Sequence, residues 1–217
     1  MINVFIIFFA IILLGGLLYF ERKGNKRSHL ITKSILSLLF VATAFLQPPL
    51  VPKYYHYLLA GLILCLIGDV CLALPGNKFF RVGLVVFLLG HVFYIISFLS
   101  LITLGRWISP VAFIIFAFSA GVFFWLRPYL QAMLVPVLFY ILVITLMLCG
   151  AWAVFQKSSF LVSATSIIFV GAFCFYVSDI FVARDRFIKE EYLNRLIGLP
   201  LYYLGQFLLA FSVGLLQ

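Results

Sequence analysis

The chain has 217 residues, of which 66% are hydrophobic and 10% charged, with a mean hydropathy of +1.25. An ordinary soluble domain carries about 25% charged and about 45–50% apolar residues, so a soluble globule is excluded, and a disordered chain with it. Fifteen Lys and Arg give a net charge of +9, but they sit in short loops between apolar runs, where they set membrane topology and form no nucleic-acid surface.

A helix needs about 20 apolar residues to cross roughly 30 Å of hydrocarbon. Runs of that kind lie near 3–20, 30–46, 55–74, 82–104, 109–126, 132–155, 159–182 and 196–216. The runs are continuous and do not alternate, so a transmembrane β-barrel does not fit. The expected fold is therefore all-α: a polytopic bundle of eight transmembrane helices forming a single integral membrane domain over 1–217. Segment 1–20 lacks a basic leader and a small-residue cleavage site, so it reads as a span and not a signal peptide. Twelve Lys and Arg fall in or beside the odd-numbered loops and three (Lys53, Arg106, Lys157) on the other side. The positive-inside rule then puts the odd loops in the cytoplasm and both termini outside, in the inner (plasma) membrane if the cell is bacterial. Cys65, Cys71, Cys149 and Cys174 all lie within apolar runs and form no C-x-x-C pair, so they read as small hydrophobes. A weak repeat is visible. Gly68-Asp69 ends the third run and Ser178-Asp179 the seventh, while Leu89-Gly90-His91 with Ser97 matches Leu204-Gly205-Gln206 with Ser212 at the same spacing. A four-plus-four duplication would preserve helix direction and give the two aspartates equivalent depths.

An ionisable group inside a span costs about 2.5–3.5 kcal/mol and marks function by default. Asp69 lies six residues before Pro75, Asp179 five before Arg184 and Lys33 six after Arg27. At 1.5 Å per residue all three sit about 7–9 Å inside the same boundary. His91 and Tyr94 share a helical face nearer mid-membrane, and Tyr176 precedes Asp179 by three residues on its face. Tyr140 follows Pro136 by one turn, and Tyr203 pairs with Gln206. The expected pocket comprises Asp69 and Asp179 as catalytic groups, with Lys33, His91, Tyr94, Tyr140, Tyr176, Tyr203 and Gln206 around the substrate. Plainer readings stand beside each: snorkelling to lipid phosphate for Lys33, helix–helix hydrogen bonds for His91 and the tyrosines, and a structural ion pair for the aspartates.

Together, these motifs resemble the YhhN family of lysoplasmalogenase-type membrane proteins. They are the Lys33 entry into the second helix, Gly68-Asp69, Gly90-His91-x-x-Tyr94, Pro136-x-x-x-Tyr140, Ser178-Asp179 and Tyr203-x-Gly205-Gln206. The resemblance runs from about residue 30 to the end. The family often carries Lys-Pro at helix 2, whereas Lys33 here precedes Ser34. The resemblance implies cleavage of the vinyl-ether bond of lysoplasmalogens to a fatty aldehyde and glycerophospho-ethanolamine or -choline. Its implied partners are a lysophospholipid substrate and the bilayer, with no nucleic acid and an oligomeric state left undetermined.

That chemistry suits the residues. Protonation of the outer vinyl carbon gives an oxocarbenium ion that water attacks, much as in glycoside cleavage with two carboxyl groups. One carboxyl must hold a proton, which burial favours, and the other must stay ionised; the sequence leaves open which is which. Neither cofactor nor metal is expected. Only His91 among the three histidines lies within a span, which rules out a three-histidine zinc site but leaves an Asp–Asp–His metal hydrolase open. A proton-coupled carrier is the rival of another class; against it, the spans show few mid-helix Gly or Pro breaks apart from Pro136, and broken helices often mark carrier sites.

Overall fold

A computed structural model describes residues 2–157 and 159–216. The described residues are helical, with no strand among them. Eight α-helices follow in order: α1 (Ile2–Arg22), α2 (Lys26–Leu46), α3 (Pro52–Ala73), α4 (Asn77–Leu99), α5 (Pro110–Leu130), α6 (Leu134–Lys157), α7 (Val162–Ala183) and α8 (Tyr192–Ser212). Six helical stretches are long and apolar enough to cross a bilayer; one of them, Pro110–Gln156, spans 47 residues and contains both α5 and α6. It folds back on itself at Gln131, where φ is +43°. Thr145 donates to Ser119 at 2.7 Å, and these residues lie equally far from the turn, as in an antiparallel hairpin. α8 is not among the six. It nevertheless runs alongside the others from end to end: Arg195 near its start contacts Glu21 at the end of α1, and Ser212 at its close meets Tyr54 near the start of α3 at 2.6 Å.

Polarity is arranged for lipid. Val4, Phe5, Phe8 and Ile11 of α1 and Phe113, Ile114, Phe118 and Phe124 of α5 are exposed, while Lys33, Asp69, His91 and Gln206 are buried. In hydrocarbon, apolar side chains have no reason to leave the surface and polar ones have every reason to find each other. The loops after α1, α3 and α7 gather at one end, joined by Glu21–His29, Glu21–Arg195 and Asn77–Arg186 contacts. Asn3 and Gln47 meet at the opposite end.

Helix limits follow backbone hydrogen bonding more than hydropathy. The run near 82–104 is helical over Asn77–Leu99. Its basic start joins the helix, whereas Ser97 and Ser100 bond backward to the carbonyls of Tyr94 and Ser97 and close it before the apolar run ends. Pro136 lies in the first turn of α6, where the missing N–H breaks no helical bond. The prolines inside helices are Pro128 in α5 and Pro200 in α8, which corrects the reading of Pro136 as the main break.

The suspected repeat has a structural counterpart. α3 packs on α4 and α7 on α8, while α2 touches α8 and α6 touches α4. Gly61 and Gly171 each lie eight residues before their aspartate. They bring the paired backbones together at Gly90 and Gly205. A Cβ on Gly205 would stand 2.7 Å from the Gly171 carbonyl oxygen, and one on Gly90 would stand 3.3 Å from that of Gly61. Ser97 and Ser212 both donate three residues back, to Tyr94 and Leu209.

Candidate active site

Asp69, four residues from the end of α3, is 1% exposed. Lys33 Nζ of α2 lies 3.1 Å from its Oδ1. Ser37, one turn further along α2, donates to Oδ2 at 2.6 Å, and Tyr202 of α8 donates to the same oxygen, also at 2.6 Å. A carboxylate met by one ammonium and two hydroxyls is held as an anion by charge-assisted bonds. The Lys33 amine is therefore bound inward and does not snorkel to lipid. Behind this layer the network continues. Gln206 Nε2 donates to Tyr202 OH at 3.1 Å, Tyr94 OH donates to Gln206 Oε1 at 2.7 Å, and Tyr203 OH lies 3.1 Å from Ser37 Oγ.

Asp179 has different company. Tyr140 of α6 donates to its Oδ2 at 2.6 Å. His91 Nε2 of α4 stands 3.8 Å from that oxygen. Among the described residues Asp179 has no lysine or arginine partner within 4.0 Å. His91 reaches it although the sequence places it nearer mid-membrane. The Cα–Cβ bond tilts toward a helix's N-terminus, so His91 on α4 leans toward the basic end while Asp179 on the antiparallel α7 leans away from it. His91 Nδ1 sits 2.7 Å from the Phe87 carbonyl oxygen, and Nε2, fully buried, has no hydrogen-bond partner.

Both aspartates border one cavity of about 280 Å³. Lys33, Tyr140, Tyr176 and Tyr202 line it with them, and Val122, Leu126, Val137, Ile141 and Ile144 form an apolar wall. At the basic end the lining becomes charged, with Glu21, His29, Asp185, Arg186 and Arg195. Arg195 there joins Glu21, Asp185 at 3.0 Å and Glu190 at 3.0 Å. The turn after α7 is π-helical over Arg184–Ile188 and presents Asp185 to this cluster. Glu191 beside it accepts from Lys189 and Arg184, which hold its carboxyl below the ordinary range.

The expected residues thus divide. Asp69, Asp179, Lys33, Tyr140 and Tyr176 reach the cavity, although the Tyr176 hydroxyl bonds Ser119 at 2.7 Å. His91, Tyr94, Tyr203 and Gln206 do not border it and instead brace those that do. Sequence reasoning missed Ser37, Tyr202 and the Arg195 cluster. Ser37 is four residues from Lys33 and Tyr202 four from Gln206, so shared helical faces carried the signal for both.

No three-residue group of His, Cys, Asp and Glu that could hold a metal ion occurs among the described residues. The YhhN family profile matches residues 28–213. A "Lysoplasmalogenase" of Mycobacterium tuberculosis (strain CDC 1551 / Oshkosh) is 30% identical over 179 residues, 79% of this chain and 63% of the relative. The Mycobacterium bovis protein of the same name matches equally, so the chain spans 63% of the length of these relatives. The "Uncharacterized membrane protein YhhN" of Escherichia coli O157:H7 is 26% identical over 184 residues, covering 83% of this chain and 85% of the relative. No solved structure matches the chain significantly.

Proposed function

The chain belongs to the YhhN family of multi-pass membrane proteins, and from that premise we propose that it is a lysoplasmalogenase, hydrolysing the vinyl-ether bond of a lysoplasmalogen. The observation that carries the reading is the shared cavity: two carboxyl groups, Asp69 and Asp179, facing one largely apolar chamber inside the bundle. Acid-catalysed opening of a vinyl ether needs a proton donor and an anion around one carbon, and this chamber provides two acids with unlike neighbours. A single-chain lipid fits the remaining walls. Its tail lies along Val122, Leu126 and Ile141, and its headgroup sits at the mouth near Arg186 and Arg195. In this reading all eight helices cross the bilayer, with the charged mouth on the cytoplasmic side.

The test is product analysis on purified protein given lysoplasmalogen, alkyl-ether and ester lysolipids. Fatty aldehyde should appear from the vinyl ether alone. Asp69→Asn and Asp179→Asn should each lower turnover of the folded protein by at least about 10²-fold, the low end for loss of a general acid or base. Uptake into vesicles without bond cleavage would instead identify a carrier, and loss of activity to chelators would identify a metal hydrolase.

A further inference from the structure

Among the described residues, His91 is the one side chain of the site with a buried polar atom that has no hydrogen-bond partner. Its Nδ1 faces the Phe87 carbonyl oxygen at 2.7 Å. A carbonyl only accepts, so Nδ1 carries the hydrogen. In the neutral ring Nε2 is then a bare lone pair, and it points at Asp179 Oδ2 across 3.8 Å with no other partner. An ionised Asp179, itself 16% exposed toward the cavity, would set acceptor against acceptor beside a fully buried ring. An imidazolium would bury a cation whose Nε2–H is too far from the carboxylate to bond. A proton on the Asp179 carboxyl removes both conflicts without a bond across the 3.8 Å gap, and Oδ2 can still accept from Tyr140.

We infer that Asp179, which among the described residues has no lysine or arginine within 4.0 Å and faces the lone pair of His91, is the proton-carrying acid, and that Asp69, paired with Lys33, remains an anion throughout; the inference rests on the hydrolase reading above. Asp69 has the opposite surroundings. Lys33, Ser37 and Tyr202 all donate to it and no acceptor faces it, so its oxygens are occupied as an anion and have no call for a proton. Tyr140 and His91 are the titratable groups against Asp179 from the helices packed on it.

The steps then balance with water as the only co-substrate. The C=C electron pair takes the Asp179 proton at the outer vinyl carbon, forming a C–H bond and an oxocarbenium ion that faces the Asp69 anion. Water adds to the cationic carbon and gives its proton to the Asp179 carboxylate, leaving a hemiacetal. As the hemiacetal C–O bond to glycerol breaks, Asp179 protonates the departing oxygen and receives the hydroxyl proton. Aldehyde and alcohol leave, and Asp179 is again protonated.

Infrared spectroscopy of the full-length protein in dodecyl maltoside, a detergent without ester carbonyls, tests this without substrate. At neutral pH a protonated-carboxyl C=O band should appear and shift in D2O, vanish in Asp179→Asn and persist in Asp69→Asn. Should the amide variant not fold, Asp179→Glu should move the band. In His91→Phe, which removes the lone pair facing the carboxyl, the band should titrate away at a lower pH than in wild type, with kcat falling more than KM rises. Absence of the band, as for two ionised carboxyls or a bridging metal, overturns the assignment, as does a band that follows Asp69. A band whose titration is unchanged in His91→Phe overturns the role of His91. Aldehyde release from a sample without the band refutes the proton assignment and spares the activity; a band without aldehyde release refutes the activity and spares the location of the proton.

Discussion

Removing the Lys33 ammonium should leave Asp69 as an uncompensated buried charge. The carboxylate is 1% exposed and the lysine 7%, so bulk water is a poor substitute for the lost partner. Breaking a buried ion pair from one side costs about 3–5 kcal/mol. Ser37 and Tyr202 still hold Oδ2, which puts Lys33→Met at the lower end, about 3 kcal/mol. Asp69→Asn strands the lysine in the same way and should cost a similar amount. Removing both charges together, in Lys33→Met/Asp69→Asn, removes the cause of each penalty. The double variant should recover most of the loss, giving a coupling of about 2 kcal/mol or more. Thermal unfolding in detergent reads this directly. At roughly 2–4 °C per kcal/mol for a chain of this size, each single variant should melt about 6–12 °C below wild type and the double variant well above either. The double variant should still be inactive, because the anion that faces the substrate is gone. Penalties that simply add, with the double variant melting lowest of all, would refute the buried pair as the organising contact of the site.

Other outcomes follow from the same coordinates. Gly205→Ala places a methyl 2.7 Å from the Gly171 carbonyl oxygen, which cannot swing aside. Overpacking of this kind costs about 1–3 kcal/mol, so its melting temperature should fall. Gly121→Ala, with nothing within 4 Å, should match or exceed wild type by up to about 1 kcal/mol of helix propensity. Tyr202→Phe keeps the ring against Phe87 and Phe175 but loses the bond to Asp69 and the acceptor of Gln206. It should lose about 1.5–3 kcal/mol in the same melt, as for a hydrogen bond to a charged group, and show reduced aldehyde release. A C-terminal reporter should read as non-cytoplasmic; a cytoplasmic signal would remove one crossing from the eight.

What the sequence disclosed was depth, and what it concealed was angle. Apolar run lengths locate the helices to within a few residues because lipid imposes one composition along a whole segment. Residue counts from the loops likewise put Lys33, Asp69 and Asp179 on one level, and the cavity joins them. Which face each side chain takes depends on how the helices pack. Tyr202 and Tyr203 differ by about 100° around α8: the first meets Asp69 and the cavity, while the second turns to Ser37 and the Lys33 carbonyl. The sequence favours Tyr203 only because it pairs with Gln206 at three residues. Ser37 was visible as a neighbour of Lys33, but serine in a membrane helix most often bonds its own backbone. Arg195 counts in the sequence only toward membrane topology and Glu21 and Asp185 as loop residues at helix ends, and only the folded chain brings them into one cluster.

The near-symmetry of the bundle explains why its repeat is so faint in the sequence. Each aspartate ends the third helix of its half. Each is met from the second helix of its own half and from the fourth helix of the other: Lys33 and Ser37 with Tyr202 for Asp69, Tyr140 with His91 for Asp179. A strictly repeated sequence would surround both acids alike, and two such carboxyls facing one cavity would share a proton with neither committed to holding it. Delivering a proton to carbon beside a stable anion requires the two acids to differ. The neighbours of the aspartates therefore have reason to diverge, an ammonium and two hydroxyls on one side, one hydroxyl and an imidazole lone pair on the other. The residues that set the helix crossings, Gly61 with Gly171, Gly90 with Gly205 and Ser97 with Ser212, have reason to stay alike, because the same backbone approach is needed twice. The trace that survives in the sequence is thus in the packing, and the chemistry lies where the halves no longer match.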